Sequence, residues 1–72
     1  MNTADAILKI LKLRGELTIY DDATRIRIET QAAKLYLPKE AELSELYEKL
    51  KPHANVIVYD EAKKTITAKI WK

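Results

Sequence analysis

The side chains that could do chemistry are few, and their spacing does not assemble a reactive site. Nucleophilic catalysis needs a hydroxyl or thiol beside a base. The chain has one serine, Ser44, one histidine, His53, and no cysteine. Ser44 and His53 are not at helical spacing, and triads are built on larger scaffolds, so Ser44 reads as a solvent-facing residue. His53 lies in Lys51-Pro52-His53-Ala54-Asn55, just past a helix C-terminus, where an imidazolium suits the helix dipole. Without a second histidine or any cysteine it is not a metal ligand set. Two acidic pairs, Asp21-Asp22 and Asp60-Glu61, suggest a divalent cation. A calcium loop, however, draws about six to eight oxygens from alternating positions around a glycine. Asx-type turns account for these pairs more simply. Glu40, Glu42, Glu45 and Glu48 read as the solvated face of a helix. Gly15 is the sole glycine, which excludes glycine-rich phosphate loops. No catalytic residue, cofactor site or metal site is predicted.

Composition narrows the class further. Seventy-two residues make one domain with a thin core. Hydrophobic residues at 47% and charged residues at 33% describe a globular chain. No apolar run approaches the roughly 18 residues of a membrane span. The start, MNTADAILKI, lacks a basic leader followed by an apolar stretch, so no secretory signal is expected. Together with the absence of cysteine, this predicts a cytoplasmic protein. A net charge of +2 is too small to imply nucleic-acid binding by itself. Lys and Glu are frequent while Asn, Gln, Met and Cys are scarce, a balance expected of a thermostable protein.

The elements that must position these residues come from periodicity. Sliding the chain so that Tyr20 meets Tyr59 also superposes Asp21-Asp22-Ala23 on Asp60-Glu61-Ala62 and Leu11-Lys12 on Leu50-Lys51. Each half therefore reads as a helix followed by a hairpin, over residues 3–30 and 38–72 of a single domain. The first helix is predicted over 4–14, capped by Asn2 or Thr3 and closed by Gly15. The second is predicted over 38–51, with Pro38 in its first turn and Pro52 ending it. Leu17, Ile19, Ile26, Ile28, Val56, Val58, Ile66, Ala68 and Ile70 are expected to face inward. Residues 31–37 either extend the second strand through a bulge or form a short strand, since Ala33, Leu35 and Leu37 alternate. The predicted fold is a two-layer α+β sandwich, αββαββ, with both helices on one face of a four-stranded antiparallel sheet. Pairing rules put the strands in the order third, fourth, second, first, as a circularly permuted ferredoxin-like fold would show.

Two predicted surfaces carry more than solubility requires. On the helix-free face, Tyr20, Arg25, Arg27, Ile57, Tyr59, Lys69 and Trp71, with Tyr36 as a further candidate, interleave aromatics with cations. Single-stranded nucleic acids are held this way, each stacked base contributing about 1–3 kcal/mol. Of these, Tyr20, Arg25, Arg27, Tyr59, Lys69 and Trp71 form the candidate nucleic-acid site. The same residues also stabilise a sheet by cross-strand packing alone. On the first helix, Ala4, Ile7, Leu8 and Leu11 make one apolar stripe, and Ala6, Ile10 and Leu13 make a second, which either packs against the second helix within the monomer or is covered by a symmetric partner copy. The predicted function is a small non-enzymatic binding module that self-associates through helix 1. Single-stranded nucleic-acid binding is the alternative.

Overall fold

A computed structural model describes residues 3–71. The elements in chain order are α1 (Thr3–Arg14), β1 (Glu16–Asp21), β2 (Arg25–Glu29), β3 (Lys34–Pro38), α2 (Leu43–Leu50), β4 (Val56–Asp60) and β5 (Thr65–Lys69). A single 3₁₀ turn, Lys51–His53, follows α2.

α1 buries Ala4, Ile7 and Leu11 at helical spacing. It ends at Gly15, whose φ of +88° is the left-handed conformation that only glycine adopts without strain. The Gly15 N–H donates to the Leu11 carbonyl at 2.7 Å, and its carbonyl accepts from the Ile70 N–H at 2.8 Å. One residue thus closes the helix and starts a strand pairing. Thr3 is the first residue of the helix, and its hydroxyl donates to the Pro38 carbonyl at 3.5 Å. Asn2, the other expected cap, lies outside the described residues.

The α+β class holds, but the sheet has five antiparallel strands rather than four, in the order β3-β2-β1-β5-β4. Residues 34–38 form a strand of their own against β2, with Ile26 opposite Leu37 and Ile28 opposite Leu35. The connecting turn is built by Thr30: its hydroxyl oxygen accepts from the N–H groups of Ala32 (3.2 Å) and Ala33 (3.1 Å), while its N–H donates to the Ala33 carbonyl (2.9 Å). Closing so short a loop costs little chain entropy, so β3 occupies the outer side of β2. The last hairpin therefore docks on β1, not β2 as the expected order required. Pro38 ends β3 instead of opening the second helix, and α2 is correspondingly short.

The second correction concerns β4. Its register sets Ile57 opposite Ala68 and Tyr59 opposite Ile66, so Ile57 and Tyr59 face the helices and pack against the core. Val56 and Val58, expected inside, point to the helix-free face and are exposed. The run Val56-Ile57-Val58-Tyr59 has no polar residue to fix its phase, and the phase is set by β5. Positions that superpose in sequence consequently occupy opposite sheet faces: Leu17 and Ile19 are buried, whereas Val56 and Val58 are not. One core joins both helices to the same face of the sheet. It contains Ile7, Leu11, Leu17, Ile19, Ile26, Ile28, Leu43, Leu46, Leu50 and Ile66.

Candidate functional site

The candidate nucleic-acid residues do not form one surface. Tyr20, Arg25, Arg27 and Tyr36 gather on the helix-free face of β1, β2 and β3, where Arg27 pairs with Tyr20 on one side and Tyr36 on the other. The Arg27 guanidinium lies 4.3 Å over the Tyr20 ring, and that of Arg25 lies 4.0 Å over Tyr36. These cation–π stacks occupy the ring faces that a base would use. Arg27 is also flanked by carboxylates, its Nε 3.4 Å from Glu29 and 3.7 Å from Asp22. That Nε is buried and makes no hydrogen bond. Arg25 remains exposed.

Tyr59 is on the other face altogether. Its ring packs on Tyr47 of α2 with centroids 5.8 Å apart, because the β4 register turns it toward the helices. Lys69 is exposed at the far end of the helix-free face, opposite Glu16 on β1 and Val56 on β4. Trp71 follows it and is 61% exposed. The Trp71 N–H donates to the Asn55 side-chain oxygen at 3.0 Å, which holds this segment beside the start of β4. The stripe predicted on α1 is divided too. Ala6 is half-buried and Ile10 packs against the core, leaving Leu13 at 77% exposure.

A feature that the sequence did not reveal is the apolar border along β4. Val58 is 57% exposed and Val56 38% exposed, and both share a face with Lys69. The two outer strands differ in chemistry. β3 carries Lys34 at one end and at the other Pro38, which has no N–H to offer. Such residues protect a sheet edge from pairing. β4, with Val-Ile-Val-Tyr in succession, has neither lysine nor proline. The absence of charge from Val56 to Tyr59 is the available signal, and it is ambiguous because buried valines leave the same pattern.

The acidic turns meet at one end of the sheet, where the Asp21 N–H donates to the Lys64 carbonyl at 3.2 Å. Asp21 accepts from the Ala23 N–H at 2.8 Å, the expected Asx-type arrangement, whereas Asp60 accepts from the Lys63 N–H, three residues on, at 3.1 Å. Lys39 reaches in from beyond β3, its Nζ 2.9 Å from Asp21 and 3.8 Å from Glu42. The hydrogen bond from Lys39, assisted by the Ala23 N–H, holds the Asp21 carboxyl below its ordinary pKa. The same bond raises that of Lys39. The hollow here, about 410 Å³, mixes both signs of charge and includes Ser44, Tyr59, Glu61 and Lys64. Among the described residues no three His, Asp or Glu side chains are placed to hold a metal ion. His53 is exposed in the 3₁₀ turn.

No described helix is long and apolar enough to cross a membrane. No protein-family model, curated protein or solved structure matches the chain.

Proposed function

We propose that this protein is a small non-enzymatic interaction module that binds polypeptide and self-associates. The observation that carries the reading is the border formed by Val56, Val58 and Trp71, the exposed apolar side chains around β4. Burying an apolar side chain contributes about 1.5–3 kcal/mol, enough for a few contacts to matter in so small a domain. The cysteine-free composition suits a reducing compartment, and the proposal places the module in the cytoplasm.

Sedimentation equilibrium over a wide concentration range tests it. The expected result is an average mass that rises above 8.3 kDa with concentration and persists at high salt, since apolar contacts are not screened. A monomer at every concentration contradicts self-association.

Nucleic-acid binding remains the second reading. What favours it is the exposure of Arg25, Lys69 and Trp71. What weighs against it is the loss of Tyr59 from that face and the carboxylates around Arg27. Titrating a mixed single-stranded oligonucleotide while recording Trp71 emission separates the two readings. Saturable quenching that weakens with salt supports nucleic acid; an unresponsive signal supports the interaction module.

A further inference from the structure

We infer that the partner is a second copy of this chain, joined through β4 in an antiparallel, two-fold pairing centred on Val58, so that two five-stranded sheets become one ten-stranded sheet. This rests on the self-association proposed above and specifies where it occurs.

The argument begins with the main chain. Gly15 and Ile70, and Asp21 and Lys64, are bonded across the β1–β5 ladder. Alternation along an antiparallel ladder then directs the backbone groups of Ile66 and Ala68 toward β1, and those of Thr65, Thr67 and Lys69 toward β4. The Lys69 carbonyl indeed accepts from the Asn55 N–H at 2.9 Å. Val56, Val58 and Asp60, which oppose those three residues, therefore spend their N–H and C=O groups on β5. Ile57 and Tyr59 direct theirs outward from the edge.

A two-fold axis at Val58 sets Ile57 of one copy opposite Tyr59 of the other, twice. The outward N–H and C=O groups of all four residues then meet in hydrogen-bonded pairs. Moving the axis to Ile57 would require Asn55, whose N–H is already committed to Lys69. Side chains agree with the Val58 register. Val58 meets its own copy on the helix-free face, and Ile57 meets Tyr59 on the other, an aromatic–β-branched pair of the kind that stabilises sheets. Asp60 falls opposite Val56, beside the Lys69 that flanks it, so these two charges are of opposite sign across the seam. The outer side of β3 offers no equivalent, because Pro38 and Lys34 interrupt it.

Because the chain has no cysteine, single cysteines can report the geometry. In the inferred dimer, residue 58 is a non-hydrogen-bonded pair with its copy, Cα atoms about 4.5 Å apart, inside the range a disulfide spans. Val58→Cys, Val56→Cys and Leu13→Cys would each be oxidised in a glutathione buffer, with circular dichroism checking the fold. The expected result is covalent dimer formed about tenfold or more faster for V58C than for the other two. Preferential cross-linking of L13C would overturn the β4 seam while leaving self-association, through α1, intact. Cross-linking of V58C no faster than V56C, with L13C equally slow, overturns the seam. Uniformly slow cross-linking together with a monomeric wild type would remove both. A V58C chain that does not fold passes the test to Val58→Lys, which should reduce the average mass to the monomer's; a mass equal to the wild type's overturns the seam.

Discussion

At the scale of single residues, Gly15 and Asp21 each serve two elements at once. Gly15 ends α1 with positive φ and bonds to Ile70, and a Cβ placed on it would sit 3.5 Å from the Ile70 carbonyl oxygen. That contact is ordinary, so the cost of Gly15→Ala comes from the backbone conformation, about 1–2 kcal/mol. Thermal or urea unfolding should show this loss; an unchanged midpoint contradicts the account of the cap. Asp21 ties the β1–β2 turn to Lys39. Its carboxyl has a folded pKa below the unfolded one, so its contribution is complete above the unfolded value and is lost as pH falls through the folded value, below about 4. Lys39 is the converse: its contribution is complete below its unfolded pKa and is lost at high pH as the raised value is passed. Urea midpoints for Asp21→Asn should therefore fall less steeply than wild type on acidification below about pH 4. Parallel curves would show that the Lys39 contact does not stabilise the fold.

At the scale of elements, the sequence was clearest where pattern and punctuation agreed. α1 was legible from its apolar stripe and Gly15, and β1, β2 and β5 from alternation of Leu17, Ile19, Ile26, Ile28, Ile66 and Ala68 with polar residues. β3 was ambiguous because its turn, Thr30-Gln31-Ala32-Ala33, contains no Gly, Pro, Asn or Asp. A threonine hydroxyl does the work those residues usually do. β4 was misphased because four apolar residues in a row satisfy either face equally well. The same ambiguity conceals the candidate site, because the alternative phase puts Val56 and Val58 in the core and Tyr59 on the helix-free face. The observed phase predicts an asymmetry between neighbours. Ile57→Ala should cost about 2 kcal/mol through lost packing, while Val58→Ala should stay within about 0.5 kcal/mol when the protein is dilute. Denaturant melts decide this directly, and the reverse ranking would restore the phase read from sequence.

At the scale of the whole molecule, the sheet is asymmetric. One face is closed by two helices, and the other carries paired charges and stacked arginines rather than a continuous basic field. One edge carries lysine and proline, and the other an uncharged apolar run from Val56 to Tyr59. Long-range pairing of β1 with β5 creates this asymmetry, and no local pattern encodes it: the same hairpins docked in the expected order would have put β1, not β3, at the edge opposite β4. An edge with outward main-chain N–H and C=O groups and exposed valines is suited to another strand. Amide hydrogen exchange followed by NMR at increasing protein concentration tests it most directly. The Ile57 and Tyr59 amides should exchange fast when the protein is dilute and slow progressively as it is concentrated, while exchange along the outer side of β3 stays unchanged. Fast exchange of Ile57 and Tyr59 at every concentration would contradict an edge that pairs with a second copy.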